Sequence, residues 1–162
     1  HDFEAVITVS APLKFKSFSS RFAEVLNAFN RFCHSRGVNT LARDYIKNDA
    51  DNPHINYLLC PVNAFVQVKK LMKKVNRSLP DIRIPALVIQ AKNDPKVAPQ
   101  SGPEIFRRLG TNKKRFAWID HDLHGIVRGN ISGMVFKEVE LFLAEQNLIH
   151  IRSEMSNRLP GA

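Results

Sequence analysis

Two short segments carry the residue types that acid–base chemistry requires. The first, Lys92-Asn93-Asp94-Pro95-Lys96-Val97-Ala98-Pro99, directly follows the apolar run Ile84 to Ala91. The second, Asp120-His121-Asp122-Leu123-His124-Gly125, directly follows Phe116-Ala117-Trp118-Ile119 and places His124 30 residues beyond Asp94. A carboxylate that accepts a hydrogen bond from one ring nitrogen of a histidine fixes its tautomer and stabilises the imidazolium. The other nitrogen is then ready to take a proton from a nucleophile. Asp94 and His124 have the types and the spacing for that pair, with His121 as a competing base. Asp94 also has a plainer reading as a turn former. His121 and His124 with Asp120 and Asp122 offer H-x-x-H spacing, but no C-x-x-C, H-E-x-x-H or remote carboxylate motif completes a metal site, so none is expected. Neither G-x-G-x-x-G nor G-x-x-x-x-G-K-[ST] occurs, which disfavours a nucleotide enzyme, and no cofactor is expected.

The elements that must position these residues follow from periodicity. Glu4 to Ser10 is a β-branched apolar run and reads as a buried parallel strand. Phe22, Val25, Leu26, Phe29, Phe32 and Cys33 mark one helical face, with Ser19 or Ser20 to cap it and Gly37 to follow its end. A weaker helix is expected from about Thr40 to Lys47, then a polar, turn-rich stretch, Asn48 to Pro53. Phe65, Val68, Leu71, Met72 and Val75 form the apolar side of a further helix capped by Asn63, and Lys69, Lys70, Lys73 and Lys74 form a solvated basic face. The second strand is Ile84 to Ala91. Ser101 and Glu104 have the spacing of a capping box, and Ile105, Phe106 and Leu109 carry the inward face of the helix it opens, with Gly110 after it. Lys114 to Ile119 is the third strand. A final helix over Ile131 to Glu145 turns Met134, Val135, Val139, Phe142 and Leu143 inward. Strand, helical insert, strand, helix, strand, helix predicts an α/β fold with a parallel sheet of about three strands flanked by helices.

Residues 82 to 145 resemble the C-terminal region of the α/β-hydrolase superfamily, close to its carboxylesterase and monoacylglycerol-lipase-like branch. Val88-Ile89-Gln90-Ala91-Lys92-Asn93-Asp94-Pro95-x-Val97-x-Pro99 carries the match, and residues 4 to 81 resemble the preceding strand and a helical cap. The resemblance implies a Ser-His-Asp triad in the chain order Ser, acid, His, with Asp94 as the acid and His124 as the base. Leu123 departs from the family, which places a small residue, usually Gly, before the base. The nucleophile belongs upstream: no G-x-S-x-G occurs, and only Gly37 of the 7 glycines precedes Asp94. Ser10, Ser101 and Ser132 have no elbow around them. The chain is therefore expected to be the back half of a serine esterase or lipase-like hydrolase, inactive alone, its substrate a small ester or acylglycerol and its partner the half that bears the nucleophile. The expected organisation is a core strand over 1–12, a cap over 13–81, the hydrolase core over 82–149 and a tail over 150–162.

The bulk properties agree with a folded domain. The chain has 162 residues, 44% of them apolar and 24% charged. No apolar run approaches the roughly 18 residues that cross a bilayer, and the start lacks both Met and a basic leader, so a processed or truncated start is expected. Cys33 and Cys60 lack C-x-x-C spacing and are expected as two reduced, buried thiols of a cytoplasmic protein. The net charge of +9 leaves open a different class, a non-catalytic module whose basic cap face meets an anionic partner. No aromatic–basic interleaving accompanies the lysines, so nucleic acid is not expected. Phe15, Phe18, Phe22, Phe29 and Phe32 read either as packing of a helical layer or as the lining of an acyl pocket. With the upstream strands absent, the first strand would leave an open edge, and self-association through that edge is expected.

Overall fold

In the computed structural model, which describes residues 3–16, 22–47 and 57–148, the β-branched run of the N-terminal segment forms β1 (Val6–Val9). It runs parallel to β4 (Ala86–Ala91), and β4 runs parallel to β5 (Lys114–Ile119), giving the order β1-β4-β5. All six residues of β4 are buried. A strand buried throughout, and apolar but for Gln90, suits only a site covered on both faces, and alternation delivers its side chains to two cores. Leu87, Ile89 and Ala91 meet Ala117, Ile119, Ile126, Val135 and Phe142 on one face. Ala86 and Val88 meet Leu79, Ile105 and Leu109 on the other. Helix α4 (Ser132–Glu145) covers the first face and α3 (Ser101–Arg108) the second. Within α4, Val135 and Phe142 are buried as the pattern predicts, whereas Met134 faces solvent. An α/β architecture with a parallel sheet and flanking helices is thus observed.

Between β1 and β4 stand α1 (Ala23–Ser35), a two-stranded antiparallel ribbon of β2 (Tyr45–Lys47) and β3 (Leu59–Pro61), and α2 (Val62–Ser78). The ribbon replaces the helix expected over Thr40 to Lys47. Only a single 3₁₀ turn forms there, Asn39–Leu41. The cause is Asn30, buried on α1: its Nδ2 donates to the Arg43 carbonyl and its Oδ1 accepts the Arg43 amide, both at 2.9 Å. That clamp takes the backbone groups a helix would use and sends Tyr45-Ile46-Lys47 out as a strand.

The face of α1 is also corrected. Ala23, Asn30 and Cys33 are its buried residues, while Phe22, Val25, Phe29 and Phe32 are exposed. α1 packs on α2, and ion pairs from Glu24 to Lys69 at 3.3 Å and Lys73 at 3.8 Å bind the two helices. Two of the four lysines on the basic face are therefore paired. α2 starts directly after Pro61 rather than on an Asn63 cap. Gly37 does adopt the left-handed conformation, φ +71°, after α1. Cys33 and Cys60 are free thiols; Cys33 is buried as expected, whereas Cys60 is only half-buried. Among the described residues no helix is long and apolar enough to cross a membrane. Phe18, the Ser19/Ser20 cap, the turn over 48–53 and the tail over 150–162 lie outside the described residues.

The C-terminal end of α1 is fastened to the ribbon by His34, whose Nδ1 lies 2.8 Å from Asn39 Oδ1 and whose Nε2 lies 3.0 Å from both oxygens of Asp44. Two acceptors facing two ring nitrogens favour the imidazolium. The Asp44 hydrogen bond first, then that of Asn39, hold His34 above the ordinary histidine range. A raised folded-state pKa stabilises below the unfolded value, near 6.5, and that stability is lost as pH rises through the folded value. The thermal midpoint should therefore fall as pH is raised from 6 towards 9, and His34→Gln should flatten that fall. A variant with the wild-type slope would remove His34 as the cause.

Candidate active site

Asp94 stands three residues beyond β4, where the chain turns off the sheet. Its side chain is fully buried, a costly place for a carboxylate unless its oxygens are satisfied. Oδ1 accepts the backbone amides of Lys96 and Val97, both at 2.8 Å. Oδ2 lies 2.8 Å from Nδ1 of His124. The turn is braced from behind by residues 14–16, which leave β1 and pair with it antiparallel: Lys16 N–H donates to Lys96 O, Ala98 N–H donates to Lys14 O, and Phe15 bridges Val97. Lys16 Nζ donates to the Asp94 carbonyl at 3.3 Å.

The chain reaches that brace through Ser10, buried at φ +45°, a left-handed conformation that costs a non-glycine residue on the order of 1 kcal/mol. The same brace overturns the capping box. Ser101 Oγ accepts from the Lys14 amide at 3.2 Å and donates to the Lys14 carbonyl at 3.4 Å. The Glu104 carboxylate turns to Arg107 at 2.7 Å. α3 consequently starts without a side-chain cap.

His124 arrives from the other side, on the loop that follows β5. Its side chain is 41% exposed while its partner Asp94 shows 0%, so the pair has one buried and one open end. With Nδ1 donating to the carboxylate, Nε2 is left as the acceptor on the open side. The loop is tied down by Ile126, which is fully buried and whose amide donates to the His124 carbonyl at 3.0 Å. His121 takes no such place: its backbone carbonyl accepts from the Asn93 amide at 3.3 Å. Among the described residues no cluster of His, Cys, Asp or Glu has metal-ligating geometry.

The two predicted site residues are thus brought together across neighbouring strand ends. The polar flank was missed by sequence reasoning. Asn93 Nδ2 donates to Asp122 Oδ1 at 2.8 Å, and Lys92 Nζ lies 3.3 Å from Asp120 Oδ2. Its only signal is that Lys92 and Asn93 stand two and one residues before Asp94, and Asp120 and Asp122 four and two residues before His124.

Comparison with known proteins extends this picture. The profile of the family described as serine aminopeptidase, S33, matches residues 1–130. A carboxylesterase of Bacillus subtilis (strain 168) is 25% identical over 114 residues, 67% of this chain and 46% of that protein. Among solved structures, a metagenome-derived lipolytic enzyme aligns with a TM-score of 0.69 at 19% identity, over 88% of this chain and 56% of the other. The monoacylglycerol lipase of Paleococcus ferrophilus aligns with a TM-score of 0.64 at 15% identity, over 90% and 60%. The chain spans about half the length of these relatives.

Proposed function

Because the chain belongs to the serine aminopeptidase S33 family, of α/β-hydrolase fold, we propose that Asp94 and His124 are the acid and base of a Ser-His-Asp triad in a carboxylic-ester hydrolase. The observation that carries this reading is the 2.8 Å contact between a buried carboxylate and a half-open imidazole. In the reaction, His124 Nε2 takes the serine proton as Oγ attacks the ester carbonyl, and Asp94 stabilises the imidazolium. The imidazolium then returns that proton to the departing alcohol, leaving an acyl-enzyme. Water, deprotonated by the same nitrogen, attacks the acyl carbonyl, and that proton passes back to the serine Oγ as the carboxylic acid leaves.

The serine and the oxyanion donors are proposed to come from a part of the fold outside these 162 residues. No G-x-S-x-G is present, and each described serine is engaged with backbone: Ser10 with Ala91, Ser35 with Phe32, Ser78 with Lys74, Ser101 with Lys14 and Ser132 with Gly129. Among the described residues no strand pairs with the outer edge of β1, and a further strand is proposed to add there. The substrate is proposed to be an ester with an apolar acyl chain, for which the exposed Phe22, Val25, Phe29 and Phe32 of α1 offer apolar surface. Among the relatives, names such as carboxylesterase and monoacylglycerol lipase support that substrate class.

The test is an assay of p-nitrophenyl butyrate with the chain alone and with a polypeptide that supplies the G-x-S-x-G half. The chain alone should be inert, since losing the nucleophile costs on the order of 10⁶ in kcat in a serine protease. The pair should turn over, and His124→Ala should abolish it. Turnover by the chain alone that vanishes with His124→Ala would overturn the divided site. A stable pair inert towards every ester would overturn the hydrolase.

A further inference from the structure

The three consecutive residues that leave β4 each reach a side chain on the loop that leaves β5, at every second position. Lys92 pairs with Asp120, Asn93 with Asp122, and Asp94 with His124. From this ladder the geometry points to Asp122, held by Asn93, as the positioning residue that aims His124 at Asp94. The inference rests on the triad reading for its catalytic meaning, though not for its test.

His124 is carried by a loop whose residues from Asp120 to Gly125 bury no large apolar side chain, and Leu123 at its tip is 47% exposed. Apolar packing therefore fixes the loop only at its ends, at Ile119 and Ile126, each buried to within 1%. In between, polar contacts must set the direction of the imidazole. The outer rung, Lys92 to Asp120, joins side chains 50% and 73% exposed, and an ion pair so open to water contributes little. The middle rung is exposed too, but it is shorter, at 2.8 Å, and it acts beside a backbone bond, the Asn93 amide donating to the His121 carbonyl at 3.3 Å. Asp122 lies two residues before His124 and its partner lies next to Asp94, so the rung sets the separation of both catalytic backbones. Without it, Asp94 stays in place but the loop no longer holds Nδ1 against it, and the imidazole is free to turn away and take the other tautomer, whose Nε2 carries a proton and cannot accept one from serine.

The test reads the tautomer directly from ring nitrogen shifts of the ¹⁵N-labelled chain at pH 8.5, where free histidine is neutral. The wild type should show His124 as the Nδ1–H form. Asp122→Ala should shift it to a mixture of the two forms without altering the other histidines. Asp122→Asn should restore the wild-type pattern, because an amide oxygen still accepts from Asn93. Should Asp122→Ala fail to fold, Asn93→Ala removes the same rung from the opposite side and should give the same mixture. A pure Nδ1–H form in the variant without the rung, or an Asp122→Asn chain as mixed as Asp122→Ala, would overturn the ladder. An assembled enzyme that hydrolyses esters despite such a result would leave the hydrolase reading standing. A wild type already in the Nε2–H form would remove the pair itself, and both readings with it.

Discussion

Asp94→Asn is expected to lower kcat of the assembled hydrolase by about 10⁴, as an acid-to-amide change does in a serine protease. By rate arithmetic that factor is about 5.5 kcal/mol of barrier. The structure supplies the cause. Oδ1 accepts two backbone amides, so the amide oxygen of an asparagine would take that side and its NH₂ would face His124. Nδ1 would then have to accept, Nε2 would carry the proton, and the serine would have no base. Shape and burial barely change, so folding is expected to survive. The measurement is kcat on a p-nitrophenyl ester beside a thermal midpoint. A loss of less than about tenfold with the fold intact would mean that this carboxylate does not set the tautomer.

The second large effect is structural and lies far from the pair. Gly110 N–H donates to the Leu79 carbonyl at 3.3 Å, and its own carbonyl accepts from Arg83 at 2.8 Å. The approach is so close that a Cβ added at Gly110 would lie 1.9 Å from the Pro80 carbonyl oxygen and 2.8 Å from its carbon. Backbone cannot rotate out of the way as a side chain can. Overpacking usually costs about 1–3 kcal/mol. Here the two backbone segments that bring α2 down to β4 and α3 across to β5 would have to part, and we expect about 4 kcal/mol for Gly110→Ala. In a chain of this size that lowers the thermal midpoint by roughly 10 °C. Gly125→Ala, where a Cβ meets nothing within 4 Å, is the control. Equal midpoints for the two variants would contradict the steric account.

Much of this architecture was legible in the sequence because it is written in local periodicity. Lys114 to Ile119 forms a strand over the expected range, and the acid and the histidine emerge after the two strands that place them. Contacts between distant segments were not legible. β2 and β3 pair across 12 residues or more, Tyr45 with Pro61 and Lys47 with Leu59, and neither three-residue strand has a period of its own. Of the apolar stripe of α1 only Cys33 is buried; small Ala23 and polar Asn30, outside the stripe, are the other buried residues, and Asn30 is spent on the Arg43 backbone. Ser101 and Glu104 had capping-box spacing, but the serine went to Lys14, 87 residues away. In each case a long-range hydrogen bond outweighed a local preference.

The two members of the pair are anchored unequally. Asp94 prolongs β4, the strand that feeds both cores, whereas His124 hangs from a loop held by exposed polar contacts. Regions poor in apolar contacts open at the least cost in free energy. On warming, the imidazole would thus swing away while the sheet is still whole, so inactivation would precede denaturation. It would also reverse fully on cooling, because nothing in the interior has moved.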